Sequence, residues 1–236
     1  MGLADIHMHT LYSYDGTATV PAVLKRAKQV GLDLIAITDH DEIRGALLAE
    51  QLATKFDIQI IPGVEITTAE GDLLALNIRK IVPPGLPLIE TIKRVGEQGG
   101  FCIAPHPTAT GMGMKSLSAY SIRQALRQDD TARILLGIET YNATALDREG
   151  NHAAKILAER SFVAEIGSSD AHVLEAIGLG ATIFPGKTIA EFIAALWMGT
   201  TQVQKGPEWN AVQTLGIWAA NYLMSAPTRL MPALAG

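Results

Sequence analysis

The 236-residue sequence holds a single cysteine. That excludes an intrachain disulfide, and Cys102, inside the apolar run "FCIA", reads as a buried structural thiol. Basic charge is also scarce: 19 Lys and Arg against 24 Asp and Glu leave a net charge of −5. Such a balance argues against a general nucleic-acid surface, which needs a basic face to neutralise phosphates. It leaves an anionic substrate open, because bound cations would offset local acidity. The apolar stretch "AVQTLGIWAANYLMSAP" is broken by Gln213, Thr214 and Asn221 and falls short of the about 20 residues of a membrane span. It reads as a helix packed on the domain or on another subunit. "MGLADI" carries neither the basic and apolar stretches of a secretory leader nor the Ser/Thr of a myristoylation site, so cytoplasmic residence is the expectation. Internal repeats and low-complexity linkers are missing as well, which favours one domain with a C-terminal extension.

Apolar residues make up 48% of the chain and charged ones 18%, so a packed core is expected rather than disorder. "LADIH", "DLIAIT", "IQIIPGVEI", "DLLALNI", "FCIAPH", "ILLGIET", "FVAEIGSSD" and "GATIF" read as strands, several apolar enough to be buried on both faces. Helices are predicted between them, near 20–30, 42–56, 87–98, 117–128, 147–160 and 188–198. Pro21 and Gly31 bracket the first, and "DHDEIRG" places acidic residues in the first turn of the second. Alternation of this kind predicts a parallel β/α architecture, either a barrel or a doubly wound sheet.

Polar residues fall where those strands end. Asp5, His7 and His9 alternate in "DIHMHT", which in a strand puts all three on one face. Thr38, Asp39, His40 and Asp41 close the second strand, Glu65 the third; His106 follows "FCIAP", and Asp170 and His172 lie in "SSDAH". Five of the six histidines thus follow strand runs, and the C-terminal ends of barrel strands converge on one face. Buried carboxylates without partners are costly, so this convergence points to a metal site. Imidazole with carboxylate suits zinc, manganese or iron. The donors outnumber one tetrahedral ion, so two or three divalent ions are expected, with Glu65 able to bridge two. Adjacent divalent ions lower the pKa of water and hold both oxygens of a displacement at phosphorus.

"DIHMHT", "YSYDGT", "AITDHD", "GVEI", "APHP" and "GSSDAH", in that order, closely resemble the PHP (polymerase and histidinol phosphatase) family. The resemblance runs from about residue 3 to 198 and takes in "IGLGATIFPGKT". It implies a distorted (β/α)7 barrel over residues 1–200, with a metal cluster at the strand C-termini and an extension over 201–236. It further implies His7, His9, Glu65 and Asp170 as ligands of one metal, Glu65 and His106 of a second, and Asp15, His40 and His172 of a third. Many members place a further histidine in the strand after the glutamate; here Asp72 stands in its place and is expected as a substitute ligand. Glu139 in "GIETYN" is expected behind the ligands or against substrate, and Asp5, Thr38 and Asp39 as hydrogen-bond partners that orient the histidines. His152 matches no ligand and reads as a surface residue. "GMGMKS" has Met114 where a phosphate loop requires glycine, so a mobile loop over the site is expected instead. Arg44 and Arg148, each shortly after a strand, are candidates to hold a substrate phosphate.

The function expected is hydrolysis of a phosphate ester, a small nucleotide or sugar phosphate, by metal-activated hydroxide with no protein nucleophile. Two alternatives stand beside it: 5′→3′ trimming of short oligonucleotides, and a non-catalytic metal-binding module that works through a partner.

Overall fold

In the computed structural model the described residues are 1–109, 114–144 and 148–230. Nine strands form a single sheet: β1 (Gly2–Asp5), β2 (Leu34–Ile37), β3 (Gln59–Thr67), β4 (Asp72–Leu76), β5 (Phe101–Ala104), β6 (Leu135–Asn142), β7 (Ala164–Ser168), β8 (Gly180–Phe184) and β9 (Gln202–Lys205), in the order β7-β6-β5-β4-β3-β2-β1-β8-β9. Eight helices interleave with them: α1 (Val20–Gln29), α2 (Arg44–Phe56), α3 (Leu88–Gly96), α4 (Ala119–Leu126), α5 (Asp129–Ala132), α6 (Arg148–Ser161), α7 (Ile189–Met198) and α8 (Ala211–Leu230).

The sheet curls into a nearly closed barrel. Across the seam between β7 and β8, the Thr182 hydroxyl accepts from Gly167 N at 3.0 Å and donates to Gly167 O at 2.8 Å. A side chain thus replaces the backbone ladder. The strands approach closely enough that a Cβ on Gly180 would stand 2.2 Å from Ser168 O.

Alternation along each strand divides the core in two. Ala4, Leu34, Ala36, Ile61, Leu74, Leu76, Ile103, Ile166 and Phe184 fill the barrel, where Phe192 of α7 meets Phe184 edge-on at 5.2 Å. Ile35, Ile37, Ile60, Val64, Leu73 and Ala75 face outward, into the cluster shared with the surrounding helices. This is the period-2 pattern of strands buried on both faces.

The structure departs from the sequence reading in four places. Strand β4 pairs antiparallel with both neighbours, and β8 pairs antiparallel with β1, so the sheet is mixed rather than wholly parallel. Strand β9, which no apolar run announces, adds to β8. Helix α2 begins at Arg44 with no acidic residue in its first turn, because Asp41 takes a left-handed φ of 51° and delays the helix. Strand β1 stops at Asp5, so Asp5, His7 and His9 are not one strand face. The start of α1 at Val20 with Pro21 in its first turn, and the stop at Gly31 (φ 82°), match expectation.

Candidate metal centre

Following the interior row upward from the barrel core shows how the centre is built. On β3, Ile61 is followed two and four residues on by Gly63 and Glu65; on β7, Ile166 is followed by Ser168 and then Asp170. Because β4 runs the other way, its first residue, Asp72, reaches the same mouth below which Leu74 and Leu76 are buried. Two side chains arrive through unusual backbone: His106 has φ 29° and Asp170 φ 52°. Left-handed conformations cost a non-glycine residue roughly 1–2 kcal/mol, and such strain concentrates at functional sites.

The resulting cluster falls into three sets whose donor atoms lie within 4.8 Å of one another: His7, His9 and Asp170; His7, Glu65 and His106; and His9, Asp15, His40 and His172. In the first region His7 Nε2 is 3.3 Å from both Glu65 Oε2 and Asp170 Oδ1. His9 Nε2 is 3.3 Å from the same glutamate oxygen and 3.2 Å from the same aspartate oxygen. Elsewhere His106 Nε2 lies 3.0 Å from Glu65 Oε1, while Asp15 Oδ2 is 3.3 Å from His40 Nε2 and 3.1 Å from His172 Nε2.

Those distances are ion-pair distances, yet His9 Nε2 and Asp170 Oδ1, both buried, have no hydrogen-bond partner. Buried polar atoms without partners are rare and need a physical reason. A divalent ion supplies one. Bonds of about 2.0–2.1 Å in a tetrahedral shell separate neighbouring donors by about 3.3–3.4 Å, close to the four separations around His7, His9, Glu65 and Asp170. The donor set fits a metal.

Asp72 lines the same cavity and its Oδ1 is likewise buried without a hydrogen-bond partner, but its carboxylate is in none of the three sets. Burial, then the nearby Glu65 charge, pushes its pKa up to about 6.

Charge sets the remaining protonation pattern. Burial opposes a charge on every group here, and the neighbours decide who resists it. Asp170, Glu65 and Glu139 overcome burial at His7 and hold its pKa well above the ordinary histidine value. His9 goes the other way, to about 4, because burial is reinforced by His172 and His40; the rings of His9 and His172 stack at 4.2 Å. Glu65 is held well below the usual carboxylate range, where His7 and His40 outweigh its burial.

Behind the donors, Glu139 is the hub. Its Oε1 accepts from His7 Nδ1 at 3.0 Å and from Ser168 Oγ; its Oε2 accepts from His106 N at 2.7 Å and Asn142 Nδ2 at 3.0 Å. Asn142 also donates to Asp170 Oδ2 at 2.9 Å. The other residues expected to orient histidines act on backbone instead. Asp5 accepts from Ser169 N and Gly178 N, Thr38 Oγ1 pairs with the Met8 backbone, and Asp39 accepts from Thr10 N and Oγ1. They hold the loops that carry the donor residues, not the imidazoles. Further imidazole contacts come from two serines not singled out in the sequence: Ser13 Oγ lies 3.4 Å from His9 Nδ1, and Ser116 Oγ 3.3 Å from His106 Nδ1. Ser13 lies within "YSYDGT" and Ser116 closes "GMGMKS", but nothing in either stretch marks the serine as a histidine partner.

Of the two arginines, Arg44 is engaged outside the donor cluster. Arg44 is 71% exposed, forks onto Glu42 and lies over Tyr12. Arg148 opens α6, and beyond that lies outside the described residues, as do residues 110–113 of the expected loop. His152 is exposed on α6, as expected.

The model of the PHP domain matches residues 5–176. The chain belongs to the PHP domain family. Among its relatives, an uncharacterized protein of Methanocaldococcus jannaschii, MJ1587, is 40% identical over 114 residues, 44% of this chain and 67% of that protein. A phosphoribosyl 1,2-cyclic phosphate 1,2-diphosphodiesterase of Eggerthella lenta is 34% identical over 87 residues, 34% of this chain and 33% of the relative. A 5′-3′ exoribonuclease of Haemophilus influenzae is 31% identical over 133 residues, 55% of this chain and 47% of the relative. The matched stretches thus span between a third and two thirds of those relatives. A solved two-domain protein from Bacteroides vulgatus containing a predicted PHP-like metal-dependent phosphoesterase shares the fold at a TM-score of 0.71 and 22% identity, over 86% of this chain and 64% of that one. Among the described residues, no helix is long and apolar enough to cross a membrane.

Proposed function

We propose that this PHP protein is a metal-dependent phosphoesterase that hydrolyses a small phosphate ester. The observation that carries the reading is the buried His9 Nε2 and Asp170 Oδ1 pair, 3.2 Å apart and without hydrogen-bond partners, inside a four-donor shell. We assign His7, His9, Glu65 and Asp170 to one divalent ion, Glu65 and His106 with Asp72 to a second, and Asp15, His40 and His172 to a third. Zinc, manganese or iron suits this mixture of imidazole and carboxylate. When bound, such ions polarise phosphoryl oxygens and lower the pKa of water.

The chain's own groups do the rest. Glu139 accepts from His7 Nδ1, so the Nε2 lone pair of His7 faces the cluster. His172 is held the same way, Nδ1 donating to Asp170 O at 3.0 Å. Burial of His7, Glu65 and Asp170 keeps bulk water from competing with these contacts. In the net reaction the ester P–O bond breaks, a water oxygen joins phosphorus, and the alcohol leaves with a proton. No serine or cysteine is needed as nucleophile; the one cysteine, Cys102, is buried in β5. We further assign residues 1–200 to the hydrolytic domain and 201–236 to an extension of it.

The test is a panel of phosphomonoesters and diesters on metal-stripped protein reloaded with Mn or Zn. Hydrolysis is expected with wild type and not with His9→Ala or Asp170→Ala. Unchanged activity in either variant refutes the reading; metal bound without turnover of any ester favours the non-catalytic module. Progressive shortening of a 3′-labelled oligoribonucleotide in the same panel would select the 5′→3′ trimming activity that the Haemophilus influenzae relative's name carries.

A further inference from the structure

The metal-facing donors form only the floor of the cavity, which measures about 420 Å³. Its opposite wall comes from outside the matched family region. Trp209 and, on α8, Thr214, Leu215 and Trp218 line it, together with Val173 and Ala176 and the ring of Tyr14. Tyr14 is 66% exposed and its ring stacks on His40 at 4.9 Å with 17° between planes. Among the described residues lining the cavity there is no lysine or arginine.

The wall is fixed to the floor rather than loosely draped over it. Trp218 Nε1 donates to Asp15 O at 2.9 Å, and Arg229, about three turns further along the same face of α8, donates to the carbonyls of Ser13, Tyr14 and Gly16. These carbonyls occupy the nearby guanidinium, which also lies over Tyr222.

From this we infer that α8 is the specificity element: it selects an ester with one phosphoryl group whose leaving group carries an uncharged planar ring. The inference rests on the phosphoesterase reading for the orientation of the substrate, with its phosphoryl group on the donor floor. The rest of the ligand then meets indole, phenol and aliphatic surface, which favours a ring by area burial and offset stacking. A second phosphate would instead meet this apolar wall and the carboxylates of Asp15 and Asp72 with no described cation to receive it, a desolvation that costs binding. A bare sugar phosphate has no ring face to bury on this wall, although Thr144 and Thr214 also line the cavity and can meet a hydroxyl. An aryl alcohol and a nucleoside share the required chemistry.

The test measures binding and turnover separately. Quenching of intrinsic tryptophan fluorescence in Mn-loaded protein reads the affinity of phenylphosphonate and of methylphosphonate, which cannot be hydrolysed. Covering one face of a phenyl ring is expected to favour phenylphosphonate by about tenfold or more. Leu215→Arg, at a position 45% exposed and so tolerant of a longer side chain, is expected to shrink that preference and to improve kcat/KM for a nucleoside 3′,5′-bisphosphate. On the wild type, phenyl phosphate and a nucleoside monophosphate separate the two ring-bearing sources, and both are expected to exceed glucose 6-phosphate and the bisphosphate in kcat/KM. Equal binding of the two phosphonates, binding of neither, or a wild-type preference for the bisphosphate overturns the inference. Ester hydrolysis without ring preference defeats it while leaving the phosphoesterase reading intact. Ring-selective phosphonate binding without hydrolysis of any ester does the reverse.

Discussion

Replacing Glu139 by glutamine is the sharpest probe of how this site is held. The side chain is fully buried and accepts four hydrogen bonds, two on each oxygen. Glutamine keeps the shape but offers one carbonyl and one NH2. If the NH2 takes the place of Oε2, it confronts His106 N and Asn142 Nδ2, two donors that then lose their acceptor. If it takes the place of Oε1, the Ser168 hydroxyl can turn and accept, but His7 must present a lone pair at Nδ1 and carry its proton on Nε2. The second arrangement leaves fewer groups unsatisfied and is therefore expected. It turns an N–H toward Glu65 Oε2 and Asp170 Oδ1, each 3.3 Å away, where the metal reading requires a lone pair. Losing a buried hydrogen bond to a charged group costs about 1.5–3 kcal/mol, and disturbing the partner of a ligating histidine weakens metal affinity by about 10–100-fold. Competition with a fluorescent chelator measures the affinity. Thermal unfolding of the metal-free variant measures the structural cost, expected at roughly 2–4 °C per kcal/mol in a domain of this size. Wild-type metal affinity in Glu139→Gln would refute the argument that Glu139 sets the His7 tautomer.

Metal removal should be visible in stability: an ion at 100 times its dissociation constant adds about 2.7 kcal/mol, so EDTA is expected to lower the melting temperature by several degrees, and no change counts against the centre. Gly180→Ala places a methyl 2.2 Å from Ser168 O and forces β7 and β8 apart; a loss of about 1–3 kcal/mol by urea unfolding is expected, and wild-type stability would show that the barrel seam is slack. Phe184→Ala empties a fully buried site against Phe192, with an expected cost of about 3–5 kcal/mol in the same assay. Arg44→Ala should leave kcat/KM within about twofold, as for an exposed residue away from the site, because Glu42 already holds that guanidinium; a tenfold rise in KM would return Arg44 to the phosphate.

Much of the floor of this site was legible because metal ligation leaves a strong trace. Histidine and carboxylate at the end of an apolar strand are expensive unless something binds them, so His7, His40, Glu65, His106 and Asp170 stand out from their surroundings. The strands announced themselves by the same contrast. Where reading failed, the deciding force was not local. That β4 runs antiparallel follows from the short Thr68–Gly71 turn, in which Thr68 Oγ1 donates to Gly71 O at 2.5 Å; the apolar run is the same in either direction. Strand β9 reads as polar because it lies at the sheet edge and is half exposed. Asp5 shares its alternation with His7 and His9, but β1 ends at that residue, and its carboxylate is claimed by the amides of Ser169 and Gly178, more than 160 positions away.

The C-terminal helix marks the limit of motif reading most clearly. Composition argues against a membrane span there, and the alternation of strand and helix has ended, so nothing in the segment itself says what its apolar residues face. The answer lies in two contacts with the opposite end of the chain. Trp218 and Arg229 fasten α8 to backbone carbonyls between Ser13 and Gly16, the loop that carries Asp15. Backbone carbonyls are present in any sequence, so such a contact constrains only one partner and leaves no paired signal to read. Hence the donors that would hold the metals are written in the sequence as motifs, whereas the wall that would choose the substrate is written only in the fold.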